Sequence, residues 1–374
     1  MNVIVLGGAG DMGSRAVEDL AATEGVERVT IADRNVAAAE RLAASLAAAP
    51  AKVVVKAVDA TDHSGLVEAM RGHDVAASAL GPFFRFERPL VRAAIAAGVD
   101  YASICDDWIA AKTVLDELAR EARAAGRTVL TGLGASPGLT NVGIRYFADR
   151  MEKLRRVEIS VHQPLDAGGG EAVLRHMLFI ISGSIECWRS GRALRIPACS
   201  ESREVEFPHF GRQRVWNMGH AEPVTVPRFL PGVEDCTFFM GFGRPSPLLV
   251  QPARWGLFRS ERVVDWAVRL GAAAESRFGH ADPSPAAVRL DLWGVEGGAQ
   301  VHRMACGVGQ MREVTALSLS VGAAMVGRKE ILEPEGGVWA PEALLDPRTF
   351  LERMRAKGVQ AYEDLAMQRP VEPS

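Results

Sequence analysis

The sequence predicts an α/β fold, a doubly wound parallel-sheet nucleotide domain with an inserted α+β substrate domain. Three observations predict it. Residues 2–33 read as strand, glycine turn, helix and a second strand ending in a carboxylate. Strand and helix patterns then alternate as far as Thr131, and from Val157 they give way to strand-rich stretches broken by glycine and proline. Asn2 to Leu6 (NVIVL) is the first apolar run, and Gly8, Gly10 and Gly13 place G-x-G-x-x-G at the turn into a helix. In that pattern the first glycine permits a tight turn, the second lets backbone amides approach a pyrophosphate, and the third lets helix and strand pack closely. With Ala9, Asp11 and Met12 they form a loop whose amides and positive helix end face phosphate. This is the Rossmann fingerprint, and it predicts a dinucleotide site; the competing reading is a plain glycine turn.

Arg28 to Ile31 is a second strand that ends at Asp33, about 20 residues past the last glycine, as the fingerprint requires. Asp33 can accept both ribose hydroxyls of an adenosine, which favours NAD, because the 2'-phosphate of NADP would meet a like charge. Arg34 leaves NADP open. Its guanidinium can stack on adenine or pair with a 2'-phosphate, or simply be a solvated turn arginine.

The alternation continues with a helix at Val36 to Leu46, a strand at Val53 to Ala57, a helix at Ser64 to Arg71 and a strand at Asp74 to Leu80. Ligands of such sheets lie beyond the carboxyl ends of the strands, so Leu80, Gly81 and Pro82 fall near the nicotinamide ribose, with Phe83 toward the substrate. Pro89 to Ala97 reads as a helix closed by Gly98, Tyr101 to Ile104 as a strand, Ala111 to Ala125 as a helix and Thr128 to Thr131 as a strand. The loop Gly134 to Asn141 is taken as the domain crossing, and Pro137 and Gly138 shape it toward the nicotinamide. The expected divisions are 1–140 for the dinucleotide-binding domain, 141–300 for the inserted domain, and 301–374 for a segment returning to the first domain. The insertion carries helices at Glu171 to Ile181 and Glu261 to Ala274. The returning segment has helices at Arg312 to Val326 and Thr349 to Lys357, and residues 367–374 read as a frayed end.

Composition narrows the partners. A net charge of −3 without a basic stripe argues against nucleic acid and anionic membranes and for a small molecule. The five cysteines are scattered without C-x-x-C spacing, so neither zinc nor disulfides are expected, and no histidine cluster suggests a metal. No apolar run reaches membrane-spanning length and no cleavable leader is legible, which together give a cytoplasmic expectation.

Four segments together carry a family resemblance. They are GGAGDMG (7–13) followed by IADRN, GPFFRFERPLVRAAIAAGVDYASICDD (81–107), GLGASPGLTN (132–141), and GGVWAPEALLDPRTFLERMRAKG (336–358); GHAEPVTVPRFLPG (219–232) adds to them. The chain resembles the saccharopine dehydrogenase-like reductases, which include lysine 6-dehydrogenase and carboxynorspermidine dehydrogenase relatives. The resemblance implies a nucleotide domain with an inserted substrate domain, oxidation of primary or secondary amines on amino-acid-like substrates, and a homodimer through the inserted sheet.

Amine oxidation needs a group that keeps the nitrogen neutral and a later water to hydrolyse the imine. Asp106 and Asp107 close a strand at the ligand crevice and are the leading acid/base pair; the competing reading of these carboxylates is a helix N-cap. Cys105 reads as a buried hydrophobe. Asn141 either binds ligand or caps the next helix. In the insertion, Glu171 and Arg175 are an i,i+4 pair, read as a solvated ion pair or as a carboxylate clamp. His176 and His220 are alternative proton carriers. The aromatic residues Phe179, Trp188, Phe207, Phe210, Trp216, Phe229, Phe238 and Phe239 line either an apolar pocket or an ordinary core. A second class of function also fits the fold, a nucleotide-binding sensor or scaffold without catalysis.

Overall fold

Strand β1 (Asn2–Leu6) is fully buried from Val3 onward, as expected of a β-branched run covered on both faces. The chain continues through α1 (Asp11–Ala22), β2 (Arg28–Asp33), α2 (Val36–Ser45), β3 (Lys52–Ala57), α3 (His63–Met70), β4 (Val75–Ser78), α4 (Phe83–Ala97), β5 (Asp100–Ser103), α5 (Trp108–Glu117), α6 (Ala119–Ala124), β6 (Thr128–Leu130) and α7 (Leu139–Ala148). The computed structural model describes the backbone of residues 1–164, 175, 177–243, 246–278, 284–333 and 336–372, and their side chains except those at 246–249, 259, 261 and 272–278. Two compact units result, Met1–Val142 with Arg312–Lys357, and Gly143–Met311 with Gly358–Ser374.

Two elements of the first unit depart from expectation. Helix α4 begins at Phe83 rather than at Pro89, which lies on its exposed side in the second turn. The predicted helix 111–125 is two helices that begin at Trp108 and divide at Leu118. Helix α4 ends where expected, at Gly98 with φ of 72°, a left-handed conformation suited to glycine.

The second unit is built on β7 (Lys153–His162), β8 (Ser184–Arg189), β9 (Arg192–Pro197), β10 (Ser202–Phe207), β11 (Gly211–Asn217), α8 (Glu222–Phe229), β12 (Asp235–Gly241), α9 (Ser246–Arg254), α10 (Glu261–Phe278), β13 (Ala286–Glu296) and β14 (Ala299–Gly309). Its sheet runs β10-β11-β12-β7-β13-β14, with β8 joined to β12 and β9 to β8; only β12 and β7 are parallel. Phe207 and Phe239 pack with Val205, Val215 and Ala287, and with Phe210 at the margin, so these aromatic residues form core. Residues 171–174 and 176 of the helix expected at 171–181 lie outside the described residues; Arg175 and residues 177–180 are helical.

The chain then returns to the first unit. Helix α11 (Met311–Gly327) is buried along Ala316 to Val326, β15 (Gly337–Trp339) pairs with β6, and α12 (Pro341–Leu344) and α13 (Pro347–Ala356) follow. The completed seven-stranded parallel sheet has the order β15-β6-β5-β4-β1-β2-β3, so the order reverses between β1 and β4. Arg15 clamps Glu313 through two bonds of 2.6 Å, and Lys357 meets Asp19 at 2.7 Å. The return starts later than expected and does not reach the end of the chain. β14 pairs with β13 along its whole length, which holds 301–309 in the second sheet, and Cys306 and Tyr362 exchange two backbone bonds of 2.8 Å, which hold the tail there. Val371 is buried and its amide donates to the Ala361 carbonyl, so residues 367–372 are packed rather than frayed. Among the described residues no helix is long and apolar enough to cross a membrane.

One buried pair joins the 132–141 loop to the returning segment. Asn141 and Glu342 are both fully buried, and the Asn141 Nδ2 donates to Glu342 Oε2 at 2.8 Å while its Oδ1 accepts from the Gly138 amide at 3.0 Å. Asn141→Ala removes the donor and the acceptor together. Loss of a buried hydrogen-bonded partner costs about 1–3 kcal/mol, so urea unfolding of the variant is expected to show a midpoint lowered accordingly; an unchanged midpoint would contradict this role.

Candidate functional site

The site of the first unit forms at the carboxyl ends of β1, β4, β5 and β6. The tight turn after β1 is made by Gly7, whose φ is +72°, and not by Gly8. Gly8 is required for space, since a Cβ there would lie 2.9 Å from the Val5 carbonyl oxygen. Gly13 is more tightly constrained, because its Cβ would meet the Gly7 oxygen at 2.1 Å. Gly10 occupies the N-cap of α1 and brings no side chain to cap it, which leaves the first-turn amides facing outward for an anion. Ala9 and Met12 are half-buried and Asp11 is exposed. Asp11 is met by Arg312, whose Nε lies 2.9 Å from its Oδ1 and whose Nη2 donates to Ser14 Oγ at 3.0 Å.

Asp33 closes β2 against this loop. Its Oδ2 accepts from the Ala9 amide at 3.1 Å and its Oδ1 from the Asn35 amide at 2.9 Å, so one carboxylate orders the glycine loop and the start of α2. Arg34 is exposed. Asp59 is held below the usual carboxylate range first by hydrogen bonds from Thr61 and then by the charges of Arg34 and Arg85, which gives Arg34 an acidic neighbour inside the unit. Across the switch point a Cβ on Gly7 would lie 3.2 Å from Leu80, so the β1–α1 and β4–α4 turns touch. Leu80, Gly81 and Pro82 are half-buried there, and the Phe83 ring lies beside Gly81.

The two loops taken from the third and second motifs also meet. The Leu133 amide donates to the Ser103 carbonyl at 2.7 Å, and a Cβ on Gly132 would sit 3.1 Å from the Pro137 ring and 3.4 Å from the Cys105 carbonyl. Gly138, with φ of +128°, would place a Cβ 2.1 Å from the Gly134 oxygen, so only glycine fits.

The paired aspartates separate in role. Asp107 is buried and caps α5, its Oδ1 accepting from the Ile109 and Ala110 amides at 2.8 and 3.0 Å. It therefore takes the N-cap reading, and the half-buried Asp106 is the member nearer solvent. Burial pushes the Cys105 thiol well up, with Glu87, Asp107 and Asp106 adding to it, which agrees with an inert sulfur. Asn141 is likewise corrected from ligand contact to an internal tie, its amide being engaged by Gly138 and Glu342.

Sequence reasoning missed a carboxylate beneath this region. Glu87 is fully buried, and it accepts from Ser103 Oγ at 2.5 Å, Thr131 Oγ1 at 2.9 Å and the Tyr101 hydroxyl at 2.9 Å. Burial pushes its carboxyl up against the opposing effect of these three donors. The signal was present in the spacing, since Glu87 shares the buried face of α4 with Leu90, Val91 and Ala94. Arg312 and Glu342 were missed for a different reason, because they arrive from the far end of the chain.

In the second unit His220 is buried, bonded through Nδ1 to the fully buried Glu222, and stacked on Phe238 at 3.8 Å between centroids. Arg175 is paired with Asp265 at 2.7 Å. Glu171 and His176 lie outside the described residues. Among the described residues no group of three or more His, Cys, Asp or Glu side chains is disposed to hold a metal.

Residues 3–130 match the family described as Saccharopine dehydrogenase NADP binding domain. Over those residues the chain is similar to the saccharopine dehydrogenase type. The chain is 29% identical over 129 residues to carboxynorspermidine synthase of Vibrio cholerae, an alignment covering 32% of this chain and 30% of that protein. A longer alignment, 25% identical over 197 residues, joins it to the trans-acting enoyl reductase of Mycobacterium leprae and covers 50% of this chain and 47% of that protein. The chain thus spans less than half the length of these curated relatives. The likeness of fold extends further than the likeness of sequence. Apo saccharopine dehydrogenase (L-Glu forming) from Saccharomyces cerevisiae superposes with a TM-score of 0.68 at 16% identity, over 96% of this chain and 98% of that one. The Corynebacterium glutamicum DAP dehydrogenase in complex with DAP gives 0.51 at 13%, over 96% and 99%.

The Gly13 contact provides a direct test of the cradle. Gly13→Ala forces either the helix or the Gly7 turn to move, and dinucleotide affinity is expected to fall at least about tenfold, equivalent to about 1.4 kcal/mol. Calorimetric titration with NAD, alongside circular dichroism to confirm the fold, checks it; an unchanged Kd would refute the close-packing role.

Proposed function

We propose that this protein is an NAD(P)-dependent oxidoreductase of the saccharopine dehydrogenase-like type that oxidises the C–N bond of an amino-acid or opine-like substrate, or reduces the corresponding imine. The observation that carries the reading is the joining of a dinucleotide cradle to a strand-end carboxylate: Gly13 pressed on Gly7, Asp33 ordering the Ala9 amide, and Asp106 at the end of β5. The family match of the nucleotide domain supports it.

The glycine loop, Asp33 and the Leu80 to Pro82 turn would hold the dinucleotide, with Pro137 and Gly138 bordering the nicotinamide. When bound, nicotinamide supplies the acceptor for a hydride from the carbon that bears nitrogen. The chain's own part is proton handling. Asp106 takes a proton from the substrate ammonium, which frees the nitrogen lone pair to form the C=N bond as the hydride departs. Asp106 then passes that proton to solvent and accepts another from the water that adds to the imine carbon, after which the carbinolamine breaks down to carbonyl and amine. Asp107 holds Asp106 in place by capping α5. His220, with a carboxylate fixed at Nδ1 by Glu222, is a second proton carrier in the inserted domain. Asp33 favours NAD, since the 2'-phosphate of NADP would meet the charge of the carboxylate that orders the glycine loop.

Initial rates with NAD and NADP across L-lysine, other L-amino acids, saccharopine, carboxylated polyamines and a 2-enoyl thioester test the reaction class and the cofactor together. The thioester is included because the longer curated alignment is to an enoyl reductase. Turnover of an amine with NAD ahead of NADP is expected. Asp106→Asn is then expected to lower kcat about 10²–10⁴-fold, the span of a lost acid/base group, while Asp107→Asn lowers stability by about 1 kcal/mol, as loss of a cap does. Tighter binding of NADP would overturn the cofactor preference. Turnover of the thioester alone would overturn the C–N chemistry, and cofactor binding without any turnover would favour the sensor or scaffold.

The resemblance also supports a homodimer through the inserted sheet. Sedimentation at the dimer mass is expected, and a purely monomeric profile would remove that part of the reading.

A further inference from the structure

The inserted unit carries an apolar surface that its core leaves outside. Among the described residues seven large apolar side chains are exposed, and four of them, Trp255, Leu257, Trp266 and Leu270, fall within residues 255–270 at 77, 51, 65 and 50% exposure. The chain has seven tryptophans, and the five besides Trp255 and Trp266 are buried or half-buried. Single exposed apolar residues are ordinary on a protein surface, whereas a concentration of them marks a contact.

The local sequence explains the arrangement. Helix α9 ends at Arg254, Gly256 takes a left-handed conformation with φ of 78°, and a 3-10 turn at Leu257–Arg259 leads to α10, whose first free amides, those of Val263 and Val264, donate to the Ser260 carbonyl at 3.0 Å. The inner faces are spoken for: Val250 and Ala253 of α9 and Val268 of α10 are buried, and Asp265 is tied to Arg175 at 2.7 Å. Arg262, Trp266, Arg269 and Leu270 are spaced i, i+4, i+7 and i+8, which sets them on one face of α10 away from Val264 and Val268, and all four are exposed. Trp255 and Leu257 stand exposed on the turn that leads into this helix.

Charge selects the partner. Residues 250–271 hold four arginines and two acids, a local excess that the whole-chain charge of −3 conceals. Asp265 is taken by Arg175, and among the described residues Arg254, Arg262 and Arg269 meet no carboxylate at ion-pair distance. An isologous contact with a second copy would set these arginines against their own kind. A strongly acidic protein surface would pair the arginines and leave the large apolar side chains without an apolar counterpart. A bilayer surface satisfies both, since indole rings sit at headgroup level, leucine enters the acyl boundary and guanidinium groups meet lipid phosphate.

We propose that the α9–α10 segment docks on the surface of an anionic phospholipid bilayer, with Trp255, Leu257, Trp266 and Leu270 at the boundary of headgroups and acyl chains and Arg254, Arg262 and Arg269 on lipid phosphates. The segment lies on the bilayer and does not cross it. The inference is independent of the nucleotide site and of the reaction proposed for it.

Flotation of the full chain tests it, with vesicles of phosphatidylcholine alone and of phosphatidylcholine and phosphatidylglycerol in equal parts, at low and at high salt. Binding to the mixed vesicles is expected, at least about tenfold weaker to phosphatidylcholine alone and weakened by salt, because the attraction is screened. Arg262→Gln and Arg269→Gln are each expected to weaken it about fivefold, the equivalent of about 1 kcal/mol for a basic residue near such a surface. Trp266→Ser is expected to weaken it at least about tenfold, as a large apolar side chain is no longer taken from water. All three positions are exposed, so the fold is kept, which circular dichroism checks. No binding to the mixed vesicles, equal binding to both kinds, or binding unchanged in every variant would overturn the proposal. A sedimenting dimer that Trp266→Ser dissolves would put a second copy on this surface instead, and capture by poly-L-glutamate in place of vesicles would make the partner an acidic protein; either result also overturns it.

Discussion

The contact on which the nucleotide domain turns is the approach of α1 to the β1 turn at Gly13 and Gly7. With a backbone oxygen 2.1 Å from where a Cβ would stand, helix and strand are as close as two main chains can come, and every other feature of the cradle follows from that distance. It brings the uncapped first turn of α1 over the end of β1, where the reversal of strand order opens a crevice against β4. It also brings Ala9 within reach of Asp33, so that the carboxylate at the end of β2 orders the loop before any ligand arrives. Preorganisation of this kind lowers the entropy lost on binding.

A second theme is the number of polar groups buried where strands end. Backbone and side-chain polar atoms taken from water must be paired, and here the pairing links segments that are remote in the chain. Asn141 joins the 132–141 loop to Glu342, Asp107 caps α5 directly after β5, and Glu87 gathers hydroxyls from β5 and from the residue after β6. These ties hold rigid the same loops that present Asp106 and the Leu80 to Pro82 turn. The cost of burying carboxylates is met by geometry: each of the three accepts at least one donor at 2.5–3.0 Å.

The inserted unit follows other rules. Its mixed sheet carries an aromatic core at Phe207 and Phe239, and its buried His220–Glu222 pair lies against Phe238. The family match ends at residue 130, before this unit begins, while the likeness of fold to yeast saccharopine dehydrogenase runs over nearly the whole chain. The family match thus falls within the first unit, while the likeness of fold covers both.

Local chemistry made the first domain legible in the sequence. Strand and helix periods, the glycine spacing and the carboxylate at Asp33 are short-range patterns, and each acts through neighbours within a few residues or one turn. The N-cap alternative for the paired aspartates was legible for the same reason, because a cap is a bond to the next few amides. The misplaced features are long-range. The start of α4 at Phe83 runs through Pro89, whose missing amide is tolerated by a helix packed along its other face. The tail joins the second unit because Tyr362 pairs with Cys306, more than fifty residues earlier in the chain, and the final strand of the first sheet is supplied by Gly337 to Trp339. The sequence by itself determined the doubly wound first domain and the glycine turn after its first strand, since these depend on periodicity and backbone sterics. Only the tertiary structure decided which carboxylate caps a helix, which is buried under three hydroxyls and which is left half-buried, because burial and hydrogen-bond partners are set by segments that meet only in the folded chain.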